Sequence, residues 1–192
     1  MYIYILDDDP GVIHTLTAMA EALGNDVTSF TSPEIFLSKI ADLELGCIFL
    51  DYSMPGMNGL DVQKKLVELE CLHPVLLLTG VADIPEAMIA MRAGAVDCLR
   101  KPPTMDSLSA ALARAEEKLT KARRYLTFKR LTDREREVLK AIGLGKSSKI
   151  IAYDLGISMR TVEMHRGSIL HKLGVTNAGA AVMLAQQYGL LD

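Results

Sequence analysis

Three apolar runs, Tyr2–Leu6, Cys47–Leu50 and Pro74–Leu78, are bounded by Asp, Gly or Thr and read as buried parallel strands. Asp26–Phe30 and Val96–Leu99 are weaker strand signals. Helical patterns over 10–23, 33–41, 58–69, 84–93 and 105–120 lie between and after them. Strand and helix alternating five times predicts an α/β fold: a doubly wound, five-stranded parallel sheet with helices on both faces. In such sheets the working site lies outside the carboxyl ends of the strands. That rule selects Asp7, Asp8 and Asp9 after the first strand, Asp51 after the third, Thr79 after the fourth and Lys101 after the fifth.

The rest of the chain changes character. Residues 1–118 carry 8 Lys and Arg against 18 Asp and Glu, and residues 119–192 carry 13 against 6. An acidic front and a basic back predict two modules with different partners, the basic one a candidate for nucleic acid. No strand-like alternation follows residue 131. Helices are expected near 132–142, 147–155, 158–173 and 177–188, an all-α second domain over 131–192. Between the two, LTKARRYLTFKR (119–130) has five basic residues, no acidic one and neither Pro nor Gly, so a helical linker is expected. Hydrophobic residues make up 49% of the chain, enough for packed cores. No apolar run approaches the roughly 18 residues of a membrane span, and MYIYILDDDP lacks the basic start of a secretion signal. Cys47, Cys71 and Cys98 form no CxxC pair and have no His at zinc spacing, as free thiols in a reducing cytoplasm would be.

The strand-end aspartates carry a chemical implication. Carboxylates about 4 Å apart repel by roughly 4 kcal/mol per pair at an effective dielectric near 20. Asp7, Asp8 and Asp51 together therefore need a cation or raised pKa values. Hard oxygen donors suit Mg²⁺, and a carboxylate beside it can attack a phosphoryl group. Lys101 supplies a point charge and Thr79 a hydroxyl donor to the phosphoryl oxygens. Separate solvated aspartates in loops remain the alternative at this point.

In the basic half, KIIAYDLGISMRTVEMHR offers a short helix, a turn at Gly156 and a second helix, the order of a helix–turn–helix. Val162, Ile169 and Leu173 share the inward face of that second helix. Arg160, Met164, Gly167 and His171 lie opposite, flanked by Glu163, on the face that would enter the major groove. Glu163 is placed to accept from a cytosine amino group and Met164 to touch a thymine methyl, while Gly167 allows close approach. Ser147, Ser148, Lys149, Thr161, Arg166 and Lys172 are expected phosphate contacts. A helical bundle that binds only protein is the alternative.

DDD at 7–9, LDYSMPGMNGLD at 50–61, LLLTG at 76–80 and AGAVDCLRKP at 93–102 resemble the receiver domain of two-component response regulators, over nearly all of residues 1–118. The resemblance implies a flavodoxin-like fold with Asp51 as phosphoacceptor. It implies Asp7 and Asp8 as organisers of Mg²⁺, with Asp8, Asp51 and the Ser53 carbonyl as direct ligands. Thr79 and Lys101 would be the switch hydroxyl and the phosphate-sensing lysine, and Lys101–Pro102 a cis bond. The switch position three residues before that lysine, usually aromatic in receivers, is here Cys98, a departure from the family pattern.

LTDREREVL, IAYDLGIS and RTVEMHRGSILHKLGV are similar to the four-helix LuxR/NarL-type DNA-binding domain over about 128–190. The whole chain thus resembles a FixJ- or NarL-type response regulator. The resemblance implies a cytoplasmic transcription regulator with no membrane partner. A sensor histidine kinase would phosphorylate it, and it would act as a homodimer on promoter DNA. The rival readings are a phosphorylation-independent regulator, favoured by Cys98, and a metal-dependent phosphatase. DYSMPG offers no general acid two residues after Asp51, as a phosphatase of that kind needs, so at most slow self-phosphorylation and self-dephosphorylation are expected.

Overall fold

A computed structural model describes residues 1–80 and 84–187. These residues form two compact units, one of Met1–Ala122 and one beginning at Arg123.

In the first unit, β1 (Tyr2–Leu6), β2 (Asp26–Phe30), β3 (Cys47–Asp51), β4 (Val75–Thr79) and β5 (Asp97–Arg100) make one sheet in the order β2-β1-β3-β4-β5. Every pairing is parallel. This is the expected doubly wound arrangement, and its order reverses between β1 and β3. Every residue of β3 and β4 is buried because both faces of the sheet are covered. Ile3, Ile5, Phe49, Leu76 and Leu78 pack under α1 (Pro10–Ala22) and α5 (Met105–Lys129). Tyr4, Leu6, Ile48, Leu50 and Leu77 pack on the other face, against α2 (Pro33–Lys39), α3 (Gly59–Glu68) and α4 (Ile84–Arg92).

Local chemistry starts the helices where the strand ends need them. The Asp9 side chain caps α1, accepting from the Gly11 N–H, and Pro10 opens the helix. Asn58 and Asp61 form a capping box on α3. Gly59 lies so close to β3 that a Cβ there would sit 2.4 Å from the Asp51 carbonyl oxygen. Only glycine lets the loop after Asp51 fold back onto that strand end. The helix α5 continues without a break to Lys129, through most of the 119–130 segment.

The second unit holds α6 (Asp133–Gly143), α7 (Ser148–Leu155), α8 (Met159–Leu173) and α9 (Ala178–Gln187) around Val138, Leu139, Ile151, Val162, Ile169 and Ala181. Thr132 and Glu135 form a capping box on α6. Gly156 and Gly174 end α7 and α8 in the left-handed conformation, at φ of 63° in each case. Among the described residues no helix is long and apolar enough to cross a membrane.

Candidate functional site

Asp7, Asp8 and Asp51 meet at the carboxyl ends of β1 and β3, each offering an oxygen within 4.8 Å of the others. Asp7 and Asp51 are buried, and Asp8 is exposed. The Asp9 N–H donates to Asp7 Oδ1 at 2.9 Å, and the Asp7 N–H donates to the Phe30 carbonyl at 3.2 Å, which fixes the first carboxylate. From the end of β5, Lys101 Nζ reaches Asp7 Oδ2 and Asp51 Oδ1, each at 2.6 Å. Its backbone N–H donates to the Thr79 carbonyl at 2.8 Å, so the ends of β4 and β5 close on the same point. Thr79 is buried one residue beyond Leu78, the register partner of Asp51. The Lys101–Pro102 bond is cis. Ser53 is exposed on the loop after β3.

The electrostatics follow from that crowding. Burial pushes the Asp7 carboxyl up, and the hydrogen bonds from Lys101 and the Asp9 N–H only partly offset it. Burial pulls the Lys101 ammonium down, but its bonds to Asp51 and Asp7 outweigh this and the net shift is upward. One ammonium is paired with two of three crowded carboxylates, which leaves room for further positive charge. An all-oxygen donor set with one exposed member fits a Mg²⁺ ion that keeps several waters.

The second candidate surface is the helix–turn–helix of α7 and α8. Val162 and Ile169 are buried and Leu173 half-buried. Arg160, Glu163, Met164, Gly167 and His171 are exposed, as the helical spacing predicts. A Cβ on Gly167 would meet nothing within 4 Å, so that patch of α8 is open. Lys149 is exposed at the start of α7.

The polar neighbours are more occupied than their spacing suggests. The Ser147 hydroxyl caps α7, accepting from the Ile150 N–H, and Thr161 is hydrogen-bonded to the α8 cap, Ser158. Ser148 and Arg166 engage Glu163. Lys172 is turned inward: its Nζ donates to Glu135 at 2.7 Å and to the Arg130 carbonyl at 3.3 Å. Glu135, buried at the start of α6, also accepts from the Ser168 hydroxyl at 2.6 Å and the Thr132 N–H at 2.7 Å. Burial would raise its pKa, but these donors win and hold it at about 2.

Residues 3–113 match the response regulator receiver domain, and residues 129–185 match the luxR family of bacterial regulatory proteins. The transcriptional regulatory protein FixJ of Bradyrhizobium diazoefficiens is 32% identical over 199 residues, spanning all of this chain and 97% of FixJ. The chain is a FixJ/NarL-type response regulator. The response regulator TodT of Pseudomonas putida is 37% identical over 193 residues, across 96% of this regulator and 85% of TodT. The crystal structure of full-length FixJ from B. japonicum aligns with a TM-score of 0.59 at 33% identity, covering all of this chain and 98% of that one.

The regulator is therefore a transcription factor with a receiver and a LuxR-type DNA-binding domain, from a family of regulators and not of enzymes. Receivers generally bind Mg²⁺ through acidic residues such as this cluster, work with a histidine kinase, and here are joined to a domain that binds DNA. Cys98 stands half-buried on β5 against the apolar cluster, and burial pushes its thiol up, away from thiolate chemistry. Sequence reasoning gave Glu135 no part in either site. Its bonds to Ser168 and Lys172 join α6 to α8, and no local spacing announces such a contact.

Proposed function

We propose that a sensor histidine kinase phosphorylates this regulator on Asp51, and that the change promotes a homodimer which binds promoter DNA in the cytoplasm. Support comes from Lys101 seated on Asp51 Oδ1, with Asp7 and Asp8 alongside. Asp8, Asp51 and the Ser53 carbonyl are the proposed Mg²⁺ ligands, with Asp7 organising them. Bound there, Mg²⁺ neutralises charge that builds on the phosphoryl oxygens. Lys101 moves its ammonium onto one of those oxygens, and Thr79 donates its hydroxyl to another. A phosphoryl group adds about -1.5 to -2 charge, which biases Thr79 and the face formed by α4, β5 and α5. Cys98 occupies the position of the switch aromatic and offers no ring to move. The receiver work falls to 1–118 and the DNA work to 131–192, with 119–130 as a helical connector.

Asp8→Ala will weaken Mg²⁺ binding more than Lys101→Ala, because only Asp8 is a proposed ligand. A Mg²⁺ titration followed by a spectroscopic probe checks this. Equal affinity in wild type and Asp8→Ala would remove Asp8 from the ligand set.

On the DNA side, Arg160, Glu163, Met164, Gly167 and His171 form the proposed groove face. The full chain will bind duplex DNA more tightly after treatment with acetyl phosphate and Mg²⁺. Affinity will fall with salt at a log–log slope of about -0.9 per phosphate neutralised. Lys149→Ala will weaken all sequences alike and flatten the slope by about 1. Titration of labelled duplexes across salt concentrations reads both effects. A slope unchanged in Lys149→Ala would take that residue off the phosphate backbone.

A further inference from the structure

An exposed carboxylate on the outer face of α8, that of Glu163, is held in place by its neighbours. Ser148 Oγ donates to Glu163 Oε1 at 2.5 Å, linking the first turn of α7 to the outer face of α8. Arg166 Nη1 in turn donates to Ser148 Oγ at 3.3 Å. Arg166 Nε stands 3.8 Å from Glu163 Oε2, close enough for ionic attraction and too far for a hydrogen bond. The serine hydroxyl thus accepts from the guanidinium and donates to the carboxylate. Such chains polarise each link and strengthen it. Oε1 is taken up by serine, while Oε2 keeps its lone pairs for an incoming donor.

Two costs of placing a carboxylate against DNA are reduced by this arrangement. Glu163 is 58% exposed at its side chain, and an exposed glutamate loses rotamer freedom when it commits to one base. Ser148 removes part of that freedom before DNA arrives. The carboxylate also faces phosphate repulsion, which the nearby guanidinium offsets. Phosphate contact by Ser148 would require its hydroxyl to give up its one donated hydrogen bond, to Glu163.

We propose that Ser148 is a positioning residue for base readout: it orients the Glu163 carboxylate toward a base amino donor, such as that of cytosine, with Arg166 supporting it. This rests on the reading of Glu163 as a base contact. Ser148 then sets specificity without touching DNA.

The test selects from a pool of duplex DNA with a randomised central segment, using the full chain treated with acetyl phosphate and Mg²⁺. Wild type, Glu163→Ala, Ser148→Ala and Ser148→Thr are compared by their base-preference matrices and by the salt dependence of binding to the wild-type consensus. Glu163→Ala should flatten one column of the matrix in each half-site. Ser148→Ala should flatten the same column by at least about fivefold, the lower end for one good base contact, with an unchanged salt slope. Ser148→Thr, which keeps the hydroxyl, should restore the preference. Failure of wild type to enrich any sequence, or an unaltered matrix for Glu163→Ala, removes the groove-face reading beneath the proposal. If Glu163→Ala flattens the column and Ser148→Ala leaves it intact, the positioning role alone is overturned. Uniform weakening by Ser148→Ala with a shallower salt slope overturns it too, in favour of a phosphate contact.

Discussion

Incubated with acetyl phosphate and Mg²⁺, the wild-type chain will gain about 80 Da, the mass of one phosphoryl group, and Asp51→Asn will gain nothing. Asp51 ends the central strand opposite Asp7 and Asp8, and the amide of asparagine is not a nucleophile for phosphoryl transfer. The variant keeps its fold, because Lys101 retains Asp7 at 2.6 Å and one of three crowded negative charges is gone. Intact mass and far-UV circular dichroism read the two halves of this result. A stable adduct on the variant would remove Asp51 from its role. If acetyl phosphate modifies wild type but leaves its DNA affinity unchanged, the regulator works independently of phosphorylation, the reading that Cys98 favours.

Glu135→Gln will destabilise the DNA-binding unit by up to roughly 3 kcal/mol at neutral pH. The carboxyl titrates at about 2 in the folded unit against an ordinary 4.5. A folded pKa below the unfolded one adds stability that is fully present above the unfolded value and fades as pH falls toward the folded value. The contribution is therefore complete above about pH 5, and more than half is lost by about pH 3. The glutamine variant lacks this component of the acid dependence, so its deficit against wild type shrinks across that range. Urea unfolding at several pH values measures the deficit. Hydrogen exchange of peptides spanning 133–173 locates it on α6 and α8. A deficit independent of pH would show that Glu135 acts through packing and not through charge.

Much of this was legible in the sequence because it is local. Tyr2–Leu6 and Asp26–Phe30 match β1 and β2 residue for residue, and β3 extends one residue further, to Asp51. The fourth and fifth strands lie one residue downstream of Pro74–Leu78 and Val96–Leu99. There the apolar run marks burial, while the strand ends are set by pairing with neighbours. The strand-end rule brought Asp7, Asp8, Asp51, Thr79 and Lys101 together, since parallel topology alone aligns those ends. Helix α5 runs on past 120 to Lys129, as expected of a 119–130 stretch without Pro or Gly. Contacts between side chains far apart in sequence were not legible. The inward turn of Lys172 onto Glu135 and the hold of Ser148 on Glu163 follow from how α6, α7 and α8 pack, which periodicity does not encode. A lysine or serine near a basic helix looks like a phosphate contact until its partner is seen.

The parallel sheet also has a kinetic consequence. The first strand finds its central neighbour only when Ile3 meets Cys47, after β2 and two helices have intervened, and the sheet is complete only with β5. Long loops must close before these pairings reward the chain, so such topologies fold slowly. The helical unit draws on contacts nearer in sequence and is expected to reach its folded state sooner once released from the ribosome. During synthesis the signal-receiving half emerges first but matures through the slower route. Its unpaired apolar strands are then the part of the molecule most exposed to aggregation.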